Sequence, residues 1–312
     1  MIKAAFIDFV FEAKDKIHLE NCEFTIHPPL RTPEEIIAAA RGAEVLCMRD
    51  QFGKINREVL EQLPELKYIV TRSAGYDHID LDEAKRRNIA VSNVPDYGAH
   101  MIAEHAFGLL LAAARNIVAG DRRYKQDRVF SDKGLQGREL HGKTMGVLGT
   151  GRIGKHTIRI AKGFGMDVLA HDVHRDPEAA AALGFQYATL ERVLGSSDFI
   201  SVHVALNDTT RHLINAESLS KVKRGAILVN TSRGGVVETQ ALMDALRSGQ
   251  LYGAGLDVLE DEGNAYHDFA ELNVVVTPHL GWYSDGAVNR ILEITLGNIG
   301  GYIRGEISNR VA

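Results

Sequence analysis

The sequence predicts an α/β protein built from two doubly wound units. Apolar runs of strand length alternate with helical patterns along the whole chain, the signature of a parallel sheet with crossover helices. The runs are nearly continuous in their apolar character, as strands covered on both faces are. At 312 residues the chain also exceeds the size at which one core usually stops growing, and the segment Val94 to Gly142 divides the strands into two groups.

Taken in order, the first group of expected strands is Ala4–Phe9, Val45–Met48, Tyr68–Arg72 and Ala90–Ser92. A long helical pattern then starts at Met101 and gives way to a polar stretch, Asp121 to Gly142. The second group is Thr144–Gly149, Asp167–His171, Phe199–His203, Ala226–Asn230, Gly253–Leu256 and Val274–Thr277. The segment Asp285 to Arg304 places Val288, Ile291, Leu292, Thr295, Ile299 and Tyr302 at helical spacing. No strand follows it, so pattern alone lets this helix complete either unit.

Composition narrows the function classes. Hydrophobic residues make up 45% and charged residues 25%, with a net charge of -5, which is ordinary for a globular protein. Lys and Arg are scattered, which leaves no electrostatic footprint for nucleic acid or an anionic membrane. Cys22 and Cys47 are too few for a disulfide framework and lack metal-ligand spacing. They are expected to be plain thiols in a reducing cytoplasm, and no metal site is expected. The first residues reach Asp8 and Glu12 before any apolar run could serve as a signal-peptide core, so no export signal is expected. The most apolar helical stretch, Ala103 to Ala114, holds Glu104 and His105 and is far shorter than the roughly 20 residues of a membrane span. It reads as a buried helix.

The segment Thr144 to Ala161 passes from an apolar strand through Gly149-Thr-Gly151-Arg-Ile-Gly154 into an amphipathic helix. In such a turn the first glycine permits the tight bend, the second lets the backbone approach a pyrophosphate, and the third lets helix and strand pack closely. The helix N-terminus adds free amides and a positive dipole end. A glycine turn alone is weak in a chain with 30 glycines. Its context strengthens it, because the next strand ends at Asp172, where a carboxylate can accept both ribose hydroxyls. That carboxylate also repels a 2′-phosphate, so NAD is the expected cofactor in preference to NADP, with Arg175 close enough in sequence to temper the preference.

Three polar residues fall just past the C-terminal ends of expected strands in the same unit: Arg233, Glu262 and His279. Ligands of open α/β sheets bind at that edge. Oxidising an alcohol by hydride transfer requires a base for the hydroxyl proton, and a histidine is the natural candidate. A carboxylate against the imidazole orients it, and a guanidinium can grip a substrate carboxylate and polarise the adjacent carbonyl. Singly, each has an ordinary reading: a surface charge at a helix start, a solvated loop within Glu260-Asp261-Glu262, a structural histidine beside Pro278. Their joint placement beside a dinucleotide turn favours chemistry.

The strings VLGTGRIGK, GFGMDVLAHD, LVNTSRGGVVET, GAGLDVLEDE and NVVVTPHLGWYS, in this order, resemble the D-2-hydroxyacid dehydrogenase family. TRSAGYDHIDL and NVPDYGAHMIAEHAFGLLL extend the resemblance over nearly the whole chain. It implies two Rossmann-like domains with a cleft between them: a discontinuous, flavodoxin-like substrate domain of residues 1–99 and 286–312, and an inserted NAD-binding Rossmann domain of residues 100–285. It further implies that Arg233 binds and polarises a 2-oxo acid, that Glu262 pairs with His279, and that His279 is the acid/base. The amides of Ala74 and Gly75 would hold the substrate carboxylate, with Tyr97 and Trp282 lining the pocket. Arg152, Ile153, His203, Thr231, Asp257 and Gly281 join the glycine turn and Asp172 as cofactor neighbours, Asp257 being expected at the nicotinamide carboxamide. The implied reaction is reversible reduction of a 2-oxo acid to a D-2-hydroxy acid with NADH, by a homodimer formed by cofactor domains.

The chain departs from the family pattern at Gly263, where a proline usually follows the catalytic glutamate, so the loop Gly263 to Glu271 is expected to take another path. TPHLGWYS blends features of several subfamilies. A phosphite dehydrogenase with a similar Arg, Glu and His set, and a non-catalytic NADH-sensing protein of the corepressor kind, motivated by Trp282-Tyr283, stand as alternatives.

Overall fold

The computed structural model describes residues 1–7, 17–49, 53–260, 262 and 268–312. Asp8, Phe9 and Glu12, and residues 263–267 of the loop that follows Glu262, lie outside the described residues.

The chain divides into two compact units, one of Met1–Tyr97 with Ser284–Ala312, the other of Gly98–Tyr283. In the first, β1 (Ile2–Ile7), β2 (Cys22–His27), β3 (Val45–Met48), β4 (Tyr68–Thr71) and β5 (Ala90–Ser92) form a parallel sheet in the order β2-β1-β3-β4-β5. This is the flavodoxin-like arrangement. Three helices, α1 (Pro33–Ala40), α2 (Arg57–Glu61) and α3 (Leu81–Arg86), connect these strands. Each starts on a side chain that accepts a backbone amide, Thr32, Asn56 and Asp80 in turn; such caps satisfy amides that have no partner within the helix.

The second unit opens with α4 (Ala99–Ala114) and α5 (Ile117–Lys125). There follow β6 (Thr144–Leu148), α6 (Arg152–Gly163), β7 (Asp167–His171), α7 (Pro177–Leu183), β8 (Gln186–Tyr187), α8 (Leu190–Ser196), β9 (Phe199–Val202), α9 (Ala216–Ser220), β10 (Ala226–Asn230), α10 (Thr239–Arg247), β11 (Leu251–Leu256) and β12 (Val274–Val276). The strands pair in parallel in the order β12-β11-β10-β9-β6-β7-β8. The chain reverses direction across the sheet between β6 and β9, the switch point at which open α/β sheets bind ligands. Helices cover both faces. Phe107, Leu110 and Ala113 of α4 pack with Ile158 of α6 on Met145, Val147 and Val229, while Val193, Leu219 and Leu242 of α8, α9 and α10 pack on Leu148, Val202 and Leu228.

The last helix, α11 (Asp285–Ile303), belongs to the first unit. Its Leu292 and Ile299 pack against Phe6, Val45, Tyr68 and Val70, and Tyr302 stacks on Tyr68 at 4.6 Å between ring centroids. Beyond it the chain pairs with β5, where Val311 donates to Val91 O and Val91 to Ala312 O.

Two strands escape the sequence reading, β2 and β8. Both are sheet edges, and β2, CEFTIH, alternates in burial and carries Glu23. A search for continuous apolar runs passes over strands with one wet side. Four expected strands also end one residue early, at Thr71, Leu148, Val202 and Val276. The residues left over, Arg72, Gly149, His203 and Thr277, leave the ladder for the loops at its C-terminal edge. Among the described residues no single helix is long and apolar enough to cross a membrane.

Asn298 is buried in α11, where its Nδ2 donates to Asn93 O and its Oδ1 accepts from Asn309. Asn298→Leu strands the buried Asn93 O, which costs about 1–3 kcal/mol for a buried polar group left unpaired, while Asn309 is exposed and can turn to water. A lowered urea midpoint at constant m-value is the expected result.

Candidate active site

The loops of the second unit that carry the expected site residues leave one edge of its parallel sheet. In spatial order Asp172 follows β7, the glycine turn follows β6, His203 follows β9, Thr231 and Arg233 follow β10, Asp257 and Glu262 follow β11, and His279 follows β12. Neighbouring strands lie about 4.8 Å apart, so this row spans several strand widths.

At the glycine turn, steric constraint explains two of the three glycines. Gly149 has φ +95° and a Cβ there would collide with the His203 backbone, while a Cβ on Gly154 would overlap Gly149 O. Gly151 faces open space. It begins α6 with no side-chain cap, so the first amides of that helix remain available to an anion. Asp172 is locked to the same turn. Its Oδ2 accepts from Thr150 N at 2.6 Å and Thr150 Oγ1 at 2.9 Å, and its Oδ1 from His174 N at 2.9 Å. Burial alone would raise its pKa, but these donors hold the carboxyl below its usual range. Tyr187 Oη bonds Thr150 Oγ1 and accepts from Asp176 N, and Asp176 pairs with Lys155 of α6. Arg175 lies over the Tyr187 ring.

Within the second unit, two buried side-chain polar atoms lack a hydrogen-bond partner among the described residues: His203 Nδ1 and Thr231 Oγ1. Burial pushes the His203 imidazole down to about 3, so the ring is neutral at pH 7 and carries one proton. Its Nε2 contacts Ser201 Oγ at 2.8 Å and Thr157 Oγ1 at 3.0 Å, and the Thr157 hydroxyl donates to Ile153 O. Nε2 therefore bears the hydrogen, and Nδ1 presents a lone pair. Buried polar groups are rarely orphaned without reason. An open Gly151, uncapped helix amides and two waiting polar atoms along one sheet edge fit a dinucleotide.

On β10 the structure adds a residue that the sequence reading passed over. Asn230 is fully buried and its Oδ1 accepts from Ser232 N and Ser232 Oγ, while its Nδ2 donates to Arg233 O. This side-chain turn fixes the backbone from which Arg233 projects. The two glutamates after β11 divide cleanly. Glu260 accepts from Thr239 N at the start of α10 and pairs with His212 Nε2 at 2.6 Å. Glu262 Oε2 instead lies 2.9 Å from His279 Nδ1.

His279 stands at φ +54°, a left-handed conformation that costs a non-glycine residue about 1 kcal/mol or more. The loop is held there by Asp257, only 2% exposed. Asp257 O accepts from His279 N, Oδ1 from Leu280 N at 2.8 Å and from the Thr277 hydroxyl, and Oδ2 from Gly281 N at 2.8 Å. Burial would raise this carboxyl, yet His105, Thr277 and the loop amides hold it below its usual range. Trp282 is half-buried with its ring 4.9 Å from that of Tyr283.

In the first unit, the turn after β4 spends its carbonyls internally. Ser73 O accepts from Val94 N, Ala74 O from Asn93 Nδ2, and Gly75 O from Ser73 Oγ. The amides of Ala74 and Gly75 have no partner among the described residues. Tyr97 is buried at 8% exposure.

Asp172→Ala is expected to weaken NADH binding by about ten- to a hundredfold, the value of one or two hydrogen bonds to a charged group, and NADPH binding by less. Fluorescence titration with both cofactors reads the ratio, and an unchanged ratio would refute a ribose contact.

A sequence profile of the D-isomer specific 2-hydroxyacid dehydrogenase NAD-binding domain matches residues 107–281. A glyoxylate reductase of Pyrococcus furiosus is 43% identical over 262 residues, covering 81% of this chain and 78% of that protein. A D-lactate dehydrogenase of Curvularia clavata is 39% identical over 297 residues, 90% of this chain and 84% of its own. Among solved structures, D-lactate dehydrogenase from Aquifex aeolicus, complexed with NAD and lactic acid, superposes with a TM-score of 0.88 at 33% identity over 97% of this chain and 96% of that one. The chain belongs to the D-isomer specific 2-hydroxyacid dehydrogenase family, and is an NAD-dependent oxidoreductase that interconverts 2-oxo and 2-hydroxy acids.

Proposed function

We propose that the enzyme reduces a small 2-oxo acid to a D-2-hydroxy acid, with His279 as acid/base, Glu262 as its orienting partner and Arg233 as the group that grips and polarises the substrate. The observation that carries this reading is the 2.9 Å pair between His279 Nδ1 and Glu262 Oε2. A carboxylate at Nδ1 fixes a hydrogen there and leaves Nε2 as the nitrogen that exchanges protons with substrate. As negative charge builds on the carbonyl oxygen, the Arg233 guanidinium stabilises it and His279 delivers a proton from Nε2. In the reverse direction the imidazole takes that proton back. The cofactor, when bound, supplies or accepts the hydride.

The amides of Ala74 and Gly75, left over after their carbonyls are satisfied, are proposed to take the substrate carboxylate. Toward the cofactor, the amides of Arg152 and Ile153 receive the pyrophosphate across Gly151, and Asp172 receives the adenine ribose. His203 Nδ1 accepts and Thr231 Oγ1 bonds further polar groups of the dinucleotide, with Gly281 and Asp257 beside the nicotinamide. Glyoxylate is the first substrate to try, because the similar Pyrococcus protein carries the name glyoxylate reductase.

NADH oxidation with glyoxylate, pyruvate, hydroxypyruvate, 2-oxobutyrate and phenylpyruvate tests the substrate class. Two- and three-carbon acids should give the highest kcat/KM; a preference for phenylpyruvate, or turnover of phosphite alone, would sink it. His279→Ala should lower kcat by about 100- to 10,000-fold, the usual contribution of a general acid/base, while NADH binding stays nearly intact. A loss of only a few-fold would remove the assigned role.

Two copies are proposed to pair through the second unit. Ile117, Val118, Tyr124, Val129 and Phe130 form an exposed apolar strip on α5 and the segment after it, with Phe130 94% exposed. Tyr124 and Phe130 meet edge to face at 6.2 Å. Exposed apolar side chains concentrated in one short segment mark an association surface. Phe130→Asp should shift the chain toward monomer in sedimentation velocity, and an unchanged distribution would count against this surface.

A further inference from the structure

The donor set of Asp257 includes a side chain from outside the loops. His105 lies two turns into α4, and its Nε2 sits 2.9 Å from Thr277 Oγ1 and 3.1 Å from Asp257 Oδ1. The protons in this cluster can be assigned. The Thr277 hydroxyl donates to Asp257 Oδ1, so its oxygen faces His105 as an acceptor. Asp257, whose carboxyl is held below its usual range, accepts only. Both neighbours of His105 Nε2 are thus acceptors, and Nε2 must carry the hydrogen it shares between them.

Packing brings the three side chains together. A Cβ at Gly255 of β11 would sit 2.7 Å from Leu109 Cβ, so this glycine lets α4 settle on the strand that ends at Asp257. On the other side a Cβ at Gly281 would sit 2.8 Å from Asp257 Oδ2 and 3.5 Å from His105 Cδ2. The cluster closes between two glycines. It also holds the segment that matters, because Asp257 binds the amides of His279, Leu280 and Gly281 through its carbonyl and both carboxylate oxygens.

We propose that His105 is a positioning residue: by donating into the Thr277–Asp257 pair it keeps residues 277–281 drawn onto Asp257 and so holds the left-handed His279 at its station against Glu262. The proposal rests on His279 being the acid/base. His105 touches neither substrate nor cofactor in this scheme, and its effect is on the geometry of proton transfer.

Four variants of the full chain test it: His105→Leu, His105→Gln, Thr277→Val and His279→Ala, each assayed for kcat and KM with glyoxylate, for NADH Kd by fluorescence titration, and for melting temperature. A misplaced reacting group costs about 100-fold per ångström, so His105→Leu should lower kcat by about 10- to 100-fold. NADH Kd should change by no more than about threefold, since the pyrophosphate and ribose contacts proposed at Gly151 and Asp172 are untouched and only the nicotinamide end adjoins Asp257. His105→Gln places an amide donor where Nε2 stood and should recover kcat to within about threefold of the parent. Thr277→Val, which removes the bridging hydroxyl at nearly constant volume, should repeat the loss, and it decides the matter if His105→Leu does not fold. The proposal is overturned if His105→Leu keeps kcat within about twofold, if His105→Gln falls as far as His105→Leu, or if NADH Kd weakens in step with kcat. His279→Ala separates the two readings: full turnover in that variant removes the acid/base assignment, whereas an inactive His279→Ala beside an active His105→Leu removes only the positioning role.

Discussion

A carboxylate buried at 2% exposure cannot remain charged without partners, and Asp257 obtains its partners from the loop that carries His279. The amides of Leu280 and Gly281, the Thr277 hydroxyl and the His105 imidazole all converge on one side chain. That demand explains features that look unrelated in sequence. It explains a histidine in left-handed backbone, a glycine two residues later, and an imidazole in the second turn of α4 turned toward the sheet edge. The same device recurs along the edge. Asp172 takes the amides of Thr150 and His174, and Glu260 takes that of Thr239. Each of the three carboxyls is held below its usual range despite partial burial. Loops at this edge are thus pinned by ionised carboxylates to backbone, a rigid support for groups that must be placed to within a fraction of an ångström.

The fold was legible because parallel strands covered on both faces leave apolar runs that no surface element imitates. Val45–Met48, Ala90–Ser92, Asp167–His171 and Ala226–Asn230 have the same bounds in the sequence reading and in the structure. The pattern failed where that physics lapses, at the edge strands β2 and β8. It overran at Gly149, His203 and Thr277, whose side chains or backbone serve the loop instead of the ladder. Strand periodicity cannot register that change of role within one residue.

The candidate site was legible to the extent that its chemistry is local. Gly149, Gly151 and Gly154 announce a turn, and a histidine after Thr-Pro announces itself. The division of labour between Glu260 and Glu262 was open to a reading by motif but not by spacing, because His212 lies far from both in sequence and near one in space. Asn230 carried a usable signal, an Asx side chain two residues before a serine, which commonly forms its own turn. His105 carried none. In sequence it reads as a polar interruption in a buried helix, and only the close approach of α4 to Gly255 reveals what it meets.

The return of α11 to the first unit orders events during synthesis. Residues Gly98–Tyr283 form a contiguous unit that can assemble as soon as it emerges. The earlier residues cannot finish, because the face formed by Phe6, Val45, Tyr68 and Val70 is covered by Leu292 and Ile299. At about 5–20 residues per second, the ribosome leaves that face waiting for roughly ten seconds or more while the intervening unit is made. The sheet of the first unit therefore keeps one apolar face uncovered until α11 has been made, so its core closes after the intervening unit is complete.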